Sequence, residues 1–131
     1  MPGTDAKIED GRAHHALQAA QKARKRGESV ADDYQSYAKN LPMRIKTNGL
    51  GAALAFIRAK DAEAYDLLHD DIESWLHTDQ REYLLAGAEG DSLVEQVVSL
   101  DSTAYRAATR EVLSYLSWLR RFAEGQIDSS G

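Results

Sequence analysis

Four histidines and a dense run of carboxylates are the residues of this 131-residue chain whose types could support catalysis or metal binding. His69, Glu73 and His77 recur at four-residue steps, so on a helix they share one face. Neutral imidazole and carboxylate are good donors for zinc or manganese. Three donors on consecutive turns of one helix nevertheless converge poorly on one ion. The spacing also departs from the His-Glu-x-x-His of zinc proteases. The expectation is a solvated acidic stripe, with no metal and no cofactor. His14 and His15 are adjacent and point to different faces, so one should be half-buried and the other exposed. Cysteine is absent, which excludes disulfides, thiolate nucleophiles and Cys-ligated clusters. There is no Gly-x-Ser-x-Gly, and Gly49 and Gly51 stand too close together for a phosphate loop. Catalysis by this chain alone is not expected.

The cations form a better constellation. Lys22, Arg24, Lys25 and Arg26 crowd one predicted helix end. Arg44, Lys46, Arg58 and Lys60 flank Asn48-Gly49, and Arg106, Arg110 and Arg121 stripe the last predicted helix. Clustered cations are what phosphate binding needs, and such contacts supply most sequence-independent affinity for nucleic acid. The aromatic residues fall mostly on apolar stripes, so base stacking is not expected. The formal net charge of −5 hides a split. Residues 1–60 carry 11 Lys and Arg against 6 Asp and Glu, whereas residues 61–131 carry 5 against 15. A basic surface for an anionic partner and a separate acidic one would follow. The acidic row Glu63, Asp66, Asp70 and Glu73 could then meet the basic patch of a neighbouring copy. The plainer reading is ordinary solvated helix faces.

The elements that must position these groups are helices. Alanine and leucine greatly outnumber valine and isoleucine, and no proline follows Pro42. The expected fold is all-α: one domain over residues 1–131, a compact bundle of about five to seven helices. A helix over 5–25 begins at a Thr4 cap and has a thin face of small alanines, which implies close helix contact. A second runs over 29–40 and ends before Leu41-Pro42, because the residue before a proline disfavours α geometry. Gly49 is read as a left-handed helix terminator. Helices over 50–59, near 80–86 and over 93–100 follow from shorter apolar sets. Over 62–77, Tyr65, Leu68, Ile72, Trp75 and Leu76 make a clear apolar stripe. The last helix starts at a Ser102 cap, and 125–131 read as a frayed tail. No apolar run approaches the roughly 20 residues of a membrane span. Residues 1–10 are polar without a signal-peptide core, so the cytoplasm is the expected compartment.

Two blocks go beyond periodicity. The first is Tyr37-Ala-Lys-Asn-Leu-Pro42, with Ile45 and Asn48-Gly-Leu-Gly-Ala-Ala-Leu-Ala-Phe56. The second is Tyr105-Arg-Ala-Ala-Thr-Arg-Glu111 with Tyr115-Leu-Ser-Trp-Leu-Arg-Arg-Phe-Ala123. Together they resemble the small α-helical subunit of the Cmr-type, type III-B, CRISPR effector complex. The resemblance implies a non-catalytic, RNA-associated protein. Its partners would be the other Cmr subunits, neighbouring copies of itself, and the guide CRISPR RNA with its target RNA. Tyr105 and Trp118 would then build core, leaving lysines and arginines outside for phosphates. The acidity of 61–95 departs from a surface given over to RNA. The alternative is a helical protein–protein interaction module with no nucleic-acid role.

Overall fold

A glycine sits at each of the first two helix junctions in the computed structural model, which describes residues 11–128. Helix α1 (Arg12–Lys25) is followed by α2 (Glu28–Asn48) and α3 (Leu50–Ala59). Gly27 has φ 112° and ψ 161°, and Gly49 has φ 93° and ψ 157°. Both lie in a region that is almost closed to residues with a Cβ. Gly49 therefore has the positive φ expected of it, but its ψ is extended and not left-handed helical. Its N–H donates to the Ile45 carbonyl at 2.8 Å, and its own carbonyl accepts from Ala53 N–H at 3.0 Å. One residue thus closes α2 and opens α3.

Helix α4 (Glu63–Leu76), a 3-10 stretch over Asp79–Leu85, the short α5 (Leu93–Val98) and the long α6 (Ser102–Asp128) complete the chain. There is no strand among the described residues, and the fold is the all-α bundle expected. The first turns of the helix predicted over 5–25, with the Thr4 cap, lie outside the described residues. Helix α6 continues through 125–128, where a frayed tail was expected, and 129–131 lie outside the description.

Two other boundaries differ from expectation for identifiable reasons. Helix α2 does not stop before Leu41-Pro42; Pro42 lies inside it. The proline costs the Ala38 carbonyl its helical donor. However, Ala38, Leu41 and Ile45 are buried at helical spacing on both sides, and that packing carries the helix through. At α6, the cap is Asp101 and not Ser102: the Asp101 carboxylate accepts from Ala104 N–H at 2.8 Å. Ser92 and Glu95 form a reciprocal capping box at α5.

The most extensive helix contact joins α1 to α6. Ala13, Ala16, Ala19, Ala20 and Ala23 form the buried side of α1, with Ala19 beside Asp71 and Ser74 of α4, and such small side chains let neighbouring backbones approach closely, as the sequence implied. Arg12 bonds Glu111 and His15 meets Tyr115, so the two helices run in the same direction. Tyr34, Leu54, Leu68, Ile72, Leu116 and Leu119 fill the centre. Trp75 is the buried tryptophan; Trp118 and Tyr105 are only half-buried. Tyr105 instead locks the glycine junction, its hydroxyl accepting from Gly51 N–H at 2.8 Å.

Candidate nucleic-acid interface

The structure distributes the eleven sequence-selected cations into three groups. The first is neutralised by α4 of the same chain. Lys22 Nζ donates to Asp71 at 3.0 Å, Arg26 Nε donates to Glu63 at 2.6 Å, and Arg58 lies 3.7 Å from Asp66 and 3.8 Å from Asp70. The basic end of α1 and the acidic stripe of α4 therefore meet within one molecule. That reduces the charge free to join neighbouring copies.

The second group leans on aromatic rings. The Arg44 guanidinium sits 3.5 Å from the centroid of Phe56, and Lys60 Nζ lies 4.7 Å from it. Arg121 is 5.4 Å from the Trp118 ring. The third group, Arg24, Lys25, Lys46, Arg106 and Arg110, is exposed and has no ion pair among the described residues. Because Arg12 is bonded to Glu111, Arg106 and Arg110 lie beside the start of α1. Arg24 and Lys25 lie at its other end, about 20 Å along the axis. Four of these five free cations thus occupy opposite ends of the α1–α6 pair, and Lys46 lies in the last turn of α2.

Beneath this surface is a buried polar network that the sequence reading missed. Both carboxylate oxygens of Glu111 accept from Arg12, at 2.7 and 2.9 Å, and Oε2 also accepts from Trp75 Nε1 at 2.8 Å. Arg81 Nε lies 3.2 Å from the same oxygen, and its guanidinium stands 4.5 Å over the Trp75 ring. Burial alone would raise the Glu111 pKa. Its partners Arg12, Trp75 and Arg81 outweigh that and hold it below the ordinary value. Asp71, likewise buried, accepts from the Tyr34 hydroxyl at 2.6 Å as well as from Lys22. Burial and the neighbouring Asp71 push the Tyr34 phenol well up. His15 bridges Tyr115 and Ser74, at 2.7 and 3.1 Å, and burial lowers its pKa. His14 is exposed, in line with the expected division of the pair. The sequence did hold a signal: Glu111 and Asp71 fall on the apolar stripes of their helices, between Ala108 and Tyr115 and between Leu68 and Trp75.

The proposed acidic face of α4 is rearranged too. His69 is buried, lining a cavity with Ala55 and Leu93, and its Nδ1 lies 3.1 Å from Asp70. Donor atoms of His69, Asp70 and Glu73 come within 4.8 Å of one another. His77 is apart from them, exposed at the C-terminal end of α4.

These features define a small all-α protein with cations at both ends of one helix pair and a largely buried ionic network around Glu111. A family model described as CRISPR-associated protein (Cas_Cmr5) matches residues 8–126. The chain belongs to this family, and so to the small Cmr-type CRISPR subunits that its sequence resembles. The CRISPR system Cmr subunit Cmr5 of Thermus thermophilus is 32% identical over 118 residues, covering 89% of this chain and 90% of the relative. The X-ray crystal structure of a CRISPR-associated Cmr5 family protein from the same organism superimposes with a TM-score of 0.71 at 28% identity. That match covers 88% of this chain and 93% of the other. No described helix is long and apolar enough to cross a membrane.

Proposed function

We propose that this chain is a non-catalytic, RNA-associated subunit of a type III-B CRISPR ribonucleoprotein. It acts in the cytoplasm beside the other Cmr subunits, further copies of itself, and the guide and target RNA. One observation carries the RNA role: Arg24, Lys25, Arg106 and Arg110 stay exposed and unpaired with any described carboxylate, although their neighbours are neutralised. Family membership supports it. In RNA-guided complexes base pairing reads sequence, so a subunit of this kind needs only backbone contacts. Two cationic ends about 20 Å apart suit a path along a strand better than a single point contact.

The test is fluorescence anisotropy with single-stranded RNA across a salt series. Neutralising about 3–5 phosphates gives a slope of log K against log salt near −2 to −3.5. Changing Arg24 and Lys25 together to Glu, or Arg106 and Arg110 together to Glu, should weaken binding to all sequences alike and flatten the slope. Unchanged affinity and slope in both double variants would overturn the reading. Cleavage of labelled RNA by the purified protein would overturn its non-catalytic part.

A further inference from the structure

The sequence gives no reason to expect base stacking, because Tyr37, Phe56 and Tyr65 lie on three separate helices, mostly on apolar stripes. The fold brings these three rings to one rim. Tyr37 and Tyr65 are stacked, with centroids 3.6 Å apart and planes within 6°. Phe56 meets Tyr65 edge-on at 5.9 Å. All three rings are half-buried and surround an open cavity of about 140 Å³, with Asn40 and Arg44 also in its wall. That is well below the roughly 300–1,000 Å³ of an ordinary small-molecule pocket. The space suits one flat ring entering edgewise. Charge at the rim is directional: Asp33 lies one turn before Tyr37 on α2, whereas Arg44 and Lys60 gather over Phe56 at the other side.

Resting on the RNA reading above, we propose that this rim holds one unstacked nucleotide of single-stranded RNA. The base adds to the Tyr37–Tyr65 stack, the Asn40 amide meets its polar edge, and the flanking phosphate lies toward Arg44 and Lys60. Aromatic faces accept any base, so the site adds affinity with little sequence preference. Arg44 is held over Phe56 before any ligand arrives, which lowers the ordering cost of the phosphate contact. The amide side chain offers both a donor and acceptors to a base edge.

The experiment compares anisotropy titrations of an intact RNA oligonucleotide and an abasic oligonucleotide with the same phosphates. The wild type should prefer the intact strand by about tenfold at high salt, where phosphate contacts are screened. Tyr37→Leu should reduce that preference toward unity while leaving the salt slope unchanged. Arg44→Gln should flatten the slope by about 0.7 and keep the preference. Because Tyr37→Leu could disturb packing, Asn40→Asp serves as a second variant: it is exposed, and loss of the amide donor to the base edge should diminish the preference without altering the melting temperature. Equal binding of intact and abasic strands by the wild type overturns the proposal while leaving the phosphate-binding role standing. So does a preference that survives undiminished in both natively folded variants. No binding to either strand would sink the RNA role itself.

Discussion

The Glu111 network and the Phe56 rim both hold cations against aromatic rings, yet they occupy opposite electrostatic regimes. Around Glu111 the cations share a carboxylate in the interior, and Trp75 is both ring and hydrogen-bond donor. At the rim, Arg44 and Lys60 lie over Phe56 beside an open cavity, with no ion pair to a described carboxylate. A cation's type and position along the chain therefore say little about its availability. What decides is whether the fold brings an acid to it.

The largest effect is expected on removal of the Glu111 carboxylate. Glu111→Ala leaves Arg12 and Arg81 without their shared anion, and should cost about 3–5 kcal/mol in denaturant unfolding. Arg44→Ala should cost about 0.5–1 kcal/mol, the scale of an exposed cation–ring contact. Comparable losses in the two variants would erase the distinction.

Acid titration sharpens it. The Glu111 pKa is lower folded than unfolded, so the unfolded chain binds more protons between the two values. Its stabilising contribution is therefore complete above the ordinary carboxylate value of 4.5 and lost as pH falls through the folded value. His15 has the same sign at higher pH: its neutral form is favoured in the fold, so stability begins to decline below about 6.5. Melting temperatures across pH should show both windows, and Glu111→Gln should shrink only the lower one, to which Glu95 also contributes through its hydrogen bonds with Ser92 and Asp91.

A smaller effect is expected at Trp118. The ring is half-buried beside Phe122 and Arg121, so Trp118→Ala should cost about 2 kcal/mol, less than truncation of a fully buried tryptophan. The smallest belongs to the exposed pairs. Arg26→Ala and Arg58→Ala should each shift stability by about 0–1 kcal/mol, and added salt should shrink even that.

Much of the architecture was legible because helical periodicity and glycine punctuation are local. The apolar stripe of α4, the alanine face of α1 and the glycine at position 49 could all be read from spacing. The continuation of α2 through Pro42 could not, since tertiary burial of Leu41 and Ile45 overrode a local preference. The site was harder to read. Lys22, Arg26 and Arg58 look the same in sequence as Arg24 and Lys25. Only the approach of α4 separates the neutralised from the free. The aromatic rim was invisible for the same reason, as its three rings come from α2, α3 and α4.

The alanine seam between α1 and α6 has a kinetic consequence. His15 and Tyr115, which meet there, are 100 residues apart in the chain. On a ribosome α1 emerges well before its principal partner, α6. Contacts between segments so far apart in the chain carry a large loop-closure cost and form late, and the waiting helix is exposed meanwhile. A leucine-rich face would be sticky during that interval. Ala16, Ala20 and Ala23 present little apolar area before α6 docks, so the small side chains of the finished bundle leave the unfinished one with little sticky surface on α1.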